Sequence, residues 1–87
     1  MLYDLTISGN CEEHGMELME KMDATLSSMN EHMNTNHYDT GFGFGSRDHS
    51  FFFIEKQEVD DIIAYYKNAL GDQITYGFSE SEEIEEE

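Results

Sequence analysis

The residues of this chain that could do chemistry are mainly carboxylates. Twenty Asp and Glu residues stand against four Lys and Arg among 87 residues, which gives a formal net charge of −16. Nucleic acids and anionic membranes are bound through basic side chains that neutralise phosphates, so this charge argues against either as a direct ligand. A basic protein partner is the natural complement, because opposite charges steer association.

Two other groupings could support catalysis or metal binding. Cys11 and His14 lie one helical turn apart, a spacing that suits a thiolate and its base, but the sequence identifies no third group to orient them. The same pair, or His37 with Asp39, could supply two metal ligands, yet no standard zinc spacing completes a set of three or four. The sequence therefore predicts no enzyme, no metal site and no cofactor.

The first half of the chain indicates a strand followed by a long helix. Leu2 to Ser8 alternates apolar and polar residues, as a half-buried strand does. Asn10 is placed to cap a helix that begins near Cys11 and runs unbroken to about Asn34. Its apolar stripe consists of Leu18, Met19, Met22, Leu26, Met29 and Met33. On one continuous helix, four carboxylates cluster opposite that stripe: Glu13, Glu17, Glu20 and Glu31.

The middle of the chain indicates a hairpin. Tyr38 to Gly45 alternates like a strand, and its three glycines indicate an edge position, a bulge or the close approach of another backbone. Ser46 to His49 is expected to form the turn. The run from Phe51 to Ile54 is apolar on both faces, which predicts a central strand.

The last elements are a second helix and a fourth strand. The helix carries Val59, Ile62, Ile63, Tyr66 and Leu70 on one face, with Gly71 at its C-terminal cap. Asp60 and Asp61 lie outside that face, and Tyr65 at its flank is a candidate interface aromatic. A strand with Ile74, Tyr76 and Phe78 on its inner side follows.

The order of elements predicts an α+β fold of the ferredoxin-like βαββαβ type, a sandwich whose four-stranded antiparallel sheet has two helices on one face. Strands one and three should be central. The other sheet face is left open, so either Phe51 and Phe53 or Phe52 and Ile54 would need shelter there, which favours a partner or a homodimer. Residues 1–79 form the single domain, with 14 acidic and 4 basic residues, and 80–87 form an acidic tail expected to be disordered.

The compartment follows from what the sequence lacks. It has no run of about 18 apolar residues and no signal peptide, which predicts neither a membrane span nor secretion. A single cysteine agrees with a reducing compartment. We expect a cytoplasmic protein.

In size, charge, element order and the carboxylate-rich ending from Glu82 to Glu87, the chain resembles the small acidic proteins by which phages inhibit host defence, the nucleic-acid-mimicking anti-restriction and anti-CRISPR inhibitors. The resemblance implies a protein that occupies the basic nucleic-acid-binding site of a nuclease or defence complex in the host cytoplasm. The alternative is a dimeric interaction module that uses its open sheet face. The expected partner-binding residues are Glu13, Glu17, Glu20, Glu31, Asp60, Asp61, Tyr65, Glu80, Glu82 and Glu83.

Overall fold

The computed structural model describes residues 1–33 and 38–81. Its elements, in chain order, are β1 (Leu2–Asn10), α1 (Cys11–His14), α2 (Met16–Met33), β2 (Tyr38–Gly43), β3 (Ser46–Glu55), α3 (Lys56–Leu70) and β4 (Ile74–Glu80), with a short 3-10 turn, Gly71–Gln73, before β4. The fold is α+β, with one open antiparallel sheet and two longer helices, as the sequence pattern predicted.

The sheet has the strand order β2-β3-β1-β4, and each neighbouring pair is antiparallel. The prediction that the first and third strands are central is confirmed. Leu5 of β1 lies between Phe51 of β3 and Phe78 of β4. The edge strands are β2 and β4, and the side chains of β2 are exposed along its whole length.

The core lies between the sheet and the two longer helices. Leu5, Ile7 and Phe51 from the central strands are fully buried, and α2 and α3 contribute to the same apolar cluster. The helix residues in it are Leu18, Met22, Leu26 and Met29 from α2 and Val59, Ile62, Tyr66 and Leu70 from α3. Burying apolar side chains stabilises by about 25 cal/mol per Å² removed from water, so this shared cluster holds both helices to the sheet.

A bulge in β3 decides where its aromatic run points. The register against β1 shifts between Tyr3 and Leu5, opposite Phe52 and Phe53. Phe53 has a φ of 58°, and its N–H donates to Asp4 Oδ1 at 3.2 Å. The extra residue lets both Phe51 and Ile54 be buried. The expected pairing of Ile54 with Phe52 on one face, and of Phe51 with Phe53 on the other, is therefore wrong.

The hairpin between β2 and β3 turns earlier than expected. The turn is formed by Phe44 and Gly45, with φ values of 54° and 76°, and β3 already begins at Ser46. The prediction of a turn at Ser46 to His49 is wrong because these polar residues are strand residues, and Arg47 and His49 have partners on the helices.

The first helix is also not continuous. Gly15, with a φ of 84°, separates α1 from α2. Asn10 caps α1 as predicted, its Oδ1 accepting from the N–H groups of Glu12 and Glu13. The N–H of Cys11 donates to Gly45 O at 2.7 Å, which fastens α1 to the β2–β3 turn.

The last described residues are held to the sheet. Glu80, where the expected tail begins, is the final residue of β4. Ser81 donates from its N–H to Leu2 O at 2.9 Å and from its Oγ to Asp4 Oδ1 at 2.6 Å. Residues 82–87 lie outside the described part of the chain. Among the residues described, no helix has the length and apolar character needed to cross a membrane.

Candidate functional site

The outer face of α2 carries three of the predicted partner-binding carboxylates. Glu17, Glu20 and Glu31 are all exposed. At 100° per residue they fall within an arc of about 60°, opposite the buried stripe. Glu17 and Glu20 are separated by a rise of about 4.5 Å, and Glu17 and Glu31 by about 21 Å. These residues form a row of charge along the helix.

Glu13 belongs to a different helix. It lies in α1, on the other side of the break at Gly15, and its Oε1 is 3.8 Å from Nε2 of His14. The regular rise from Glu13 to Glu17 that a continuous helix would give is therefore absent. Glu13 remains exposed at the end of the helix layer where α2 begins.

The two predicted carboxylates of α3 have neighbours of their own. Asp60 accepts from Lys56 Nζ at 3.0 Å in an exposed ion pair, and Asp61 accepts from Gln57 Nε2 at 3.1 Å. Because α3 runs antiparallel to α2, its first turns lie at the end of the helix layer where Glu31 is found. Asp60 and Asp61 thus extend the charge of Glu31 rather than that of Glu17.

The remaining predicted carboxylates are spread over the length of the sheet. Glu80 is paired with Tyr3 near the start of β1, whereas Glu13 follows Asn10 at the end of the same strand. At about 3.3 Å per residue, the two ends of β1 are roughly 26 Å apart. The predicted residues form a belt of charge rather than one compact patch. Glu82 and Glu83 lie outside the described residues.

Tyr65 does not stand free at a surface. Its ring is half-buried and packs against the core cluster, and its hydroxyl lies 2.6 Å from Ser28 Oγ of α2. The His32 ring lies 6.4 Å away, centroid to centroid. With Asn68 and Ala69, Tyr65 lines a shallow hollow of about 230 Å³. Its main contacts join the two helices.

Among the described residues, few of the carboxylates are neutralised by Lys or Arg. Residues 1–33 and 38–81 hold 15 acidic and 4 basic side chains, a net charge of −11. Within these ranges the Lys and Arg ion pairs engage Asp23 and Asp60. Glu17, Glu20 and Glu31 take no part in those pairs, so their charges face solvent.

The structure also reveals a polar network, buried at His49 and Tyr66 and partly exposed at Asp23, that the sequence reasoning missed. Asp23 Oδ1 accepts from Arg47 Nε at 3.0 Å and from its second guanidinium nitrogen, Nη2, at 2.9 Å. The same oxygen lies 3.1 Å from His49 Nε2, and His49 Nδ1 lies 2.7 Å from the Tyr66 hydroxyl. The network joins α2, β3 and α3. The available signal was the alternation of Arg47, His49 and Phe51, which places all three on the helix side of β3.

Burial fixes the protonation of this network. Desolvation lowers the pKa of His49 below its usual 6.5, opposed by the hydrogen bond and charge of Asp23. Desolvation, helped by the Asp23 charge, raises the pKa of the Tyr66 hydroxyl. A neutral imidazole therefore accepts from the Tyr66 O–H at Nδ1 and donates from Nε2 to Asp23. His49 and Tyr66 are both fully buried, so a substrate cannot reach the imidazole or the phenol, and the network serves to join the layers.

Cys11 and His14 do not form an accessible pair. Cys11 is a free, buried thiol, whereas His14 is exposed. A nucleophile must reach its substrate, and this thiol faces the core. In the part of the chain that the structure describes, no group of three or more His, Cys, Asp or Glu residues is arranged to hold a metal ion.

No protein-family model matches the chain, and a search of curated proteins finds no similar sequence. The function is therefore inferred from the charge and the geometry of this chain alone.

Proposed function

We propose that the protein is a nucleic-acid mimic that blocks the basic nucleic-acid-binding site of a host defence complex or nuclease. The observation that carries this proposal is the row formed by Glu17, Glu20 and Glu31, which is exposed along α2 and clear of the Lys and Arg ion pairs. No catalytic residue, metal or cofactor enters the proposed mechanism.

The mechanism is substitution of carboxylates for phosphates. Phosphates of one DNA strand rise about 3.4 Å per step, and Glu17 and Glu20 rise by about 4.5 Å along α2. Side chains of this length can adjust by the difference, so both carboxylates can meet Arg or Lys side chains that otherwise hold phosphates. The net charge of −16 steers the encounter, and bound salt is released on contact.

The other predicted residues would widen this contact. Glu13 lies beyond the start of α2, and Asp60 and Asp61 lie beside its end, so a groove that follows the helix layer would meet them in turn. Glu80 lies at the Glu31 end of the molecule, and the sequence continues from it with Glu82 and Glu83. We include them as the outer part of the binding surface.

We also infer the ferredoxin-like arrangement for the fold. The strand order read from the other edge, β4-β1-β3-β2, supports it, as do the two helices that share one apolar cluster. The likeness to phage inhibitors, and with it action in the host cytoplasm, is part of the same proposal.

The test begins with capture of partners from a bacterial lysate by the tagged protein, eluted with a salt gradient. A recovered nuclease or defence complex is then purified and loaded with labelled nucleic acid. We expect the protein to displace that nucleic acid, with an affinity that falls steeply as salt rises.

Two charge reversals separate mimicry from general acidity. Glu20→Lys changes the row on α2, and Asp72→Lys makes the same change in net charge at an exposed position away from that row. The first variant should lose displacement by at least about tenfold more than the second, because only it removes a phosphate position. Equal inhibition by both variants, each shown to be folded by circular dichroism, contradicts the proposal.

The alternative function is a dimer formed through the open sheet face. That face carries hydroxyl groups at its centre, where Thr6 Oγ1 lies 3.4 Å from Ser50 Oγ across β1 and β3. A polar face gives a smaller hydrophobic driving force than the apolar face that the sequence led us to expect. A dimer that persists in 0.5 M salt, measured by light scattering after gel filtration, would favour this alternative; loss of partner capture under the same salt favours mimicry.

A further inference from the structure

β2 is an edge strand of the sheet, and among the described residues no strand pairs with its outer side. β2 lies at the end of the strand order, next to β3. The N–H of Thr40 donates to Asp39 Oδ1 at 2.9 Å, and therefore points away from β3. In an antiparallel pair the backbone groups of alternate residues point to opposite sides. Tyr38, Thr40 and Phe42 thus turn their N–H and C=O groups outward, as a template for another strand. The N–H of Thr40 would exchange its bond to Asp39 Oδ1 for one to the added strand.

Exposed aromatic rings accompany this edge. The exposed fractions are 41% for Tyr38, 47% for Phe42 and 106% for Phe44. Phe44 also has a φ of 54°, a left-handed conformation that costs a residue with a bulky side chain on the order of 1 kcal/mol. The turn between β2 and β3 therefore exposes the large ring of Phe44 fully to water and lowers the stability of the folded chain.

The charges beside the edge are negative. Asp39 and Asp48 lie on the sheet face away from the helices, opposite Ser50 and Gly41 respectively. The nearby cation, Arg47, is opposite Phe42 but is already bound to Asp23. A strand that pairs here meets aromatic rings on one face and carboxylates on the other. Both surfaces favour cationic side chains, the rings through cation–π contacts and the carboxylates through ion pairs.

We propose that the β2 edge binds an extended, Arg- and Lys-rich segment of a partner protein as a fifth strand of the sheet. Alternate side chains of that segment lie over Tyr38 and Phe42 or face Asp39 and Asp48. At 3.3 Å per residue, β2 offers about 20 Å of edge, enough for a segment of about six residues. This goes beyond the proposed mimicry, because it uses the backbone groups and aromatic rings of a sheet edge and does not involve the row on α2.

A second copy of the chain is a poorer occupant of this edge. Pairing of β2 with β2 would bring two chains of net charge −16 together. It would also place the Asp39 side chains of both copies along one joined edge, where like charges repel. A cationic segment meets no such repulsion.

The test uses an eight-residue peptide of alternating arginine and threonine as the probe, with a glutamate–threonine peptide as its control. Heteronuclear NMR at 0.15 M salt should show shifts and slowed amide exchange at residues 38–44 with the first peptide and none with the second. Methylating the backbone nitrogens of alternate peptide residues keeps the charge but removes strand donors. Two such peptides are made, one methylated at the odd-numbered residues and one at the even-numbered residues. Affinity should fall at least about tenfold for one of them and much less for the other, because only one set of backbone N–H donors faces β2.

A matched pair of variants locates the aromatic contribution. Phe42 on β2 and Phe78 on β4 are similarly exposed, 47% and 44%, each on an edge strand. Phe42→Ser should weaken peptide binding by about tenfold, and Phe78→Ser should leave it unchanged. Phe44→Gly should also weaken binding while leaving the chain at least as stable as the wild type, because glycine adopts the left-handed conformation freely.

Three results would overturn the proposal. One is a set of NMR shifts confined to the carboxylates of α2, which would indicate attraction to charge alone. Another is equal weakening by Phe42→Ser and Phe78→Ser. The third is self-association of the chain mapped to residues 38–44. Because the α2 variants test mimicry and the β2 variants test strand pairing, failure of one proposal is distinguishable from failure of the other.

Discussion

Replacing Tyr66 with phenylalanine removes a single hydroxyl group from the buried network between the helices and the sheet. The ring is fully buried and phenylalanine fills nearly the same volume, so no large cavity forms. What is lost is the 2.7 Å hydrogen bond to His49 Nδ1. That nitrogen becomes a buried acceptor without its donor, which costs about 1–3 kcal/mol of unfolding free energy. A loss of about 2 kcal/mol in a chain of this size lowers Tm by roughly 8–16 °C.

The assay is urea unfolding followed by circular dichroism at pH 7.5, with thermal unfolding as a second measure. Tyr65→Phe is the matched control. It removes the same group from the neighbouring position, but the hydroxyl of Tyr65 meets Ser28 Oγ in an exposed setting where water can replace it. We expect its cost to stay below about 0.5 kcal/mol.

The reasoning is refuted if the two variants lose the same stability, or if Tyr66→Phe costs less than about 0.5 kcal/mol. Either outcome would mean that the Tyr66 hydroxyl contributes no more than an exposed one. A double variant of Tyr66→Phe with His49→Phe checks the cause, because it removes both polar partners. It should then lose less stability than the sum of the two single variants.

Three further predictions concern the stability of the folded sheet and helices. Burial holds the pKa of His49 below 6.5 in the folded chain, so as the pH falls the unfolded chain takes up a proton first. The free energy of unfolding should therefore fall below pH 6.5, by up to about 1.4 kcal/mol per pH unit until the folded pKa is reached. His49→Gln should reduce that slope in urea titrations at several pH values. Gly9→Ala should cost about 1–3 kcal/mol in urea unfolding, because its Cβ would lie 2.6 Å from Met22 Sδ, and an unchanged midpoint would contradict this packing. The N–H of Phe53 donates to Asp4 Oδ1 at 3.2 Å, so Asp4→Ala should speed hydrogen exchange at the Phe53 amide and lower the free energy of unfolding by about 1–2 kcal/mol. Equal exchange rates in variant and wild type would show that this bond is not formed.

The elements with a clear period could be predicted from the sequence. Alternation located β1, and the spacing of apolar residues located α2 and α3, including Gly71 at the cap of α3. These signals are local, because each residue's face follows from its neighbours three or four positions away. The central place of the Phe51 strand was also predicted correctly, although the bulge buries Phe51 and Ile54 on one face and leaves Phe53 half exposed.

The errors came from features that depend on distant residues. His49 was assigned to a turn because it stands among polar residues, yet its partners Asp23 and Tyr66 are 26 and 17 residues away. The bulge at Phe53 depends on Asp4, which is 49 positions away. The break at Gly15 was a local signal outweighed by the long methionine stripe. For the candidate site, the exposed carboxylates of α2 followed from periodicity, whereas the contacts of Tyr65 did not.

The bulge at Phe53 also bears on how the length of this chain can change. In a regular strand, loss of one residue turns every following side chain to the opposite face. In β3, Phe51 and Ile54 already face the core with two residues between them, so a chain lacking Phe53 would restore simple alternation without moving either. The same deletion at Thr6 would exchange the inner and outer residues of β1. Single-residue insertions and deletions in related genes should therefore accumulate at this one point of the central sheet, while the facing strand keeps a fixed length.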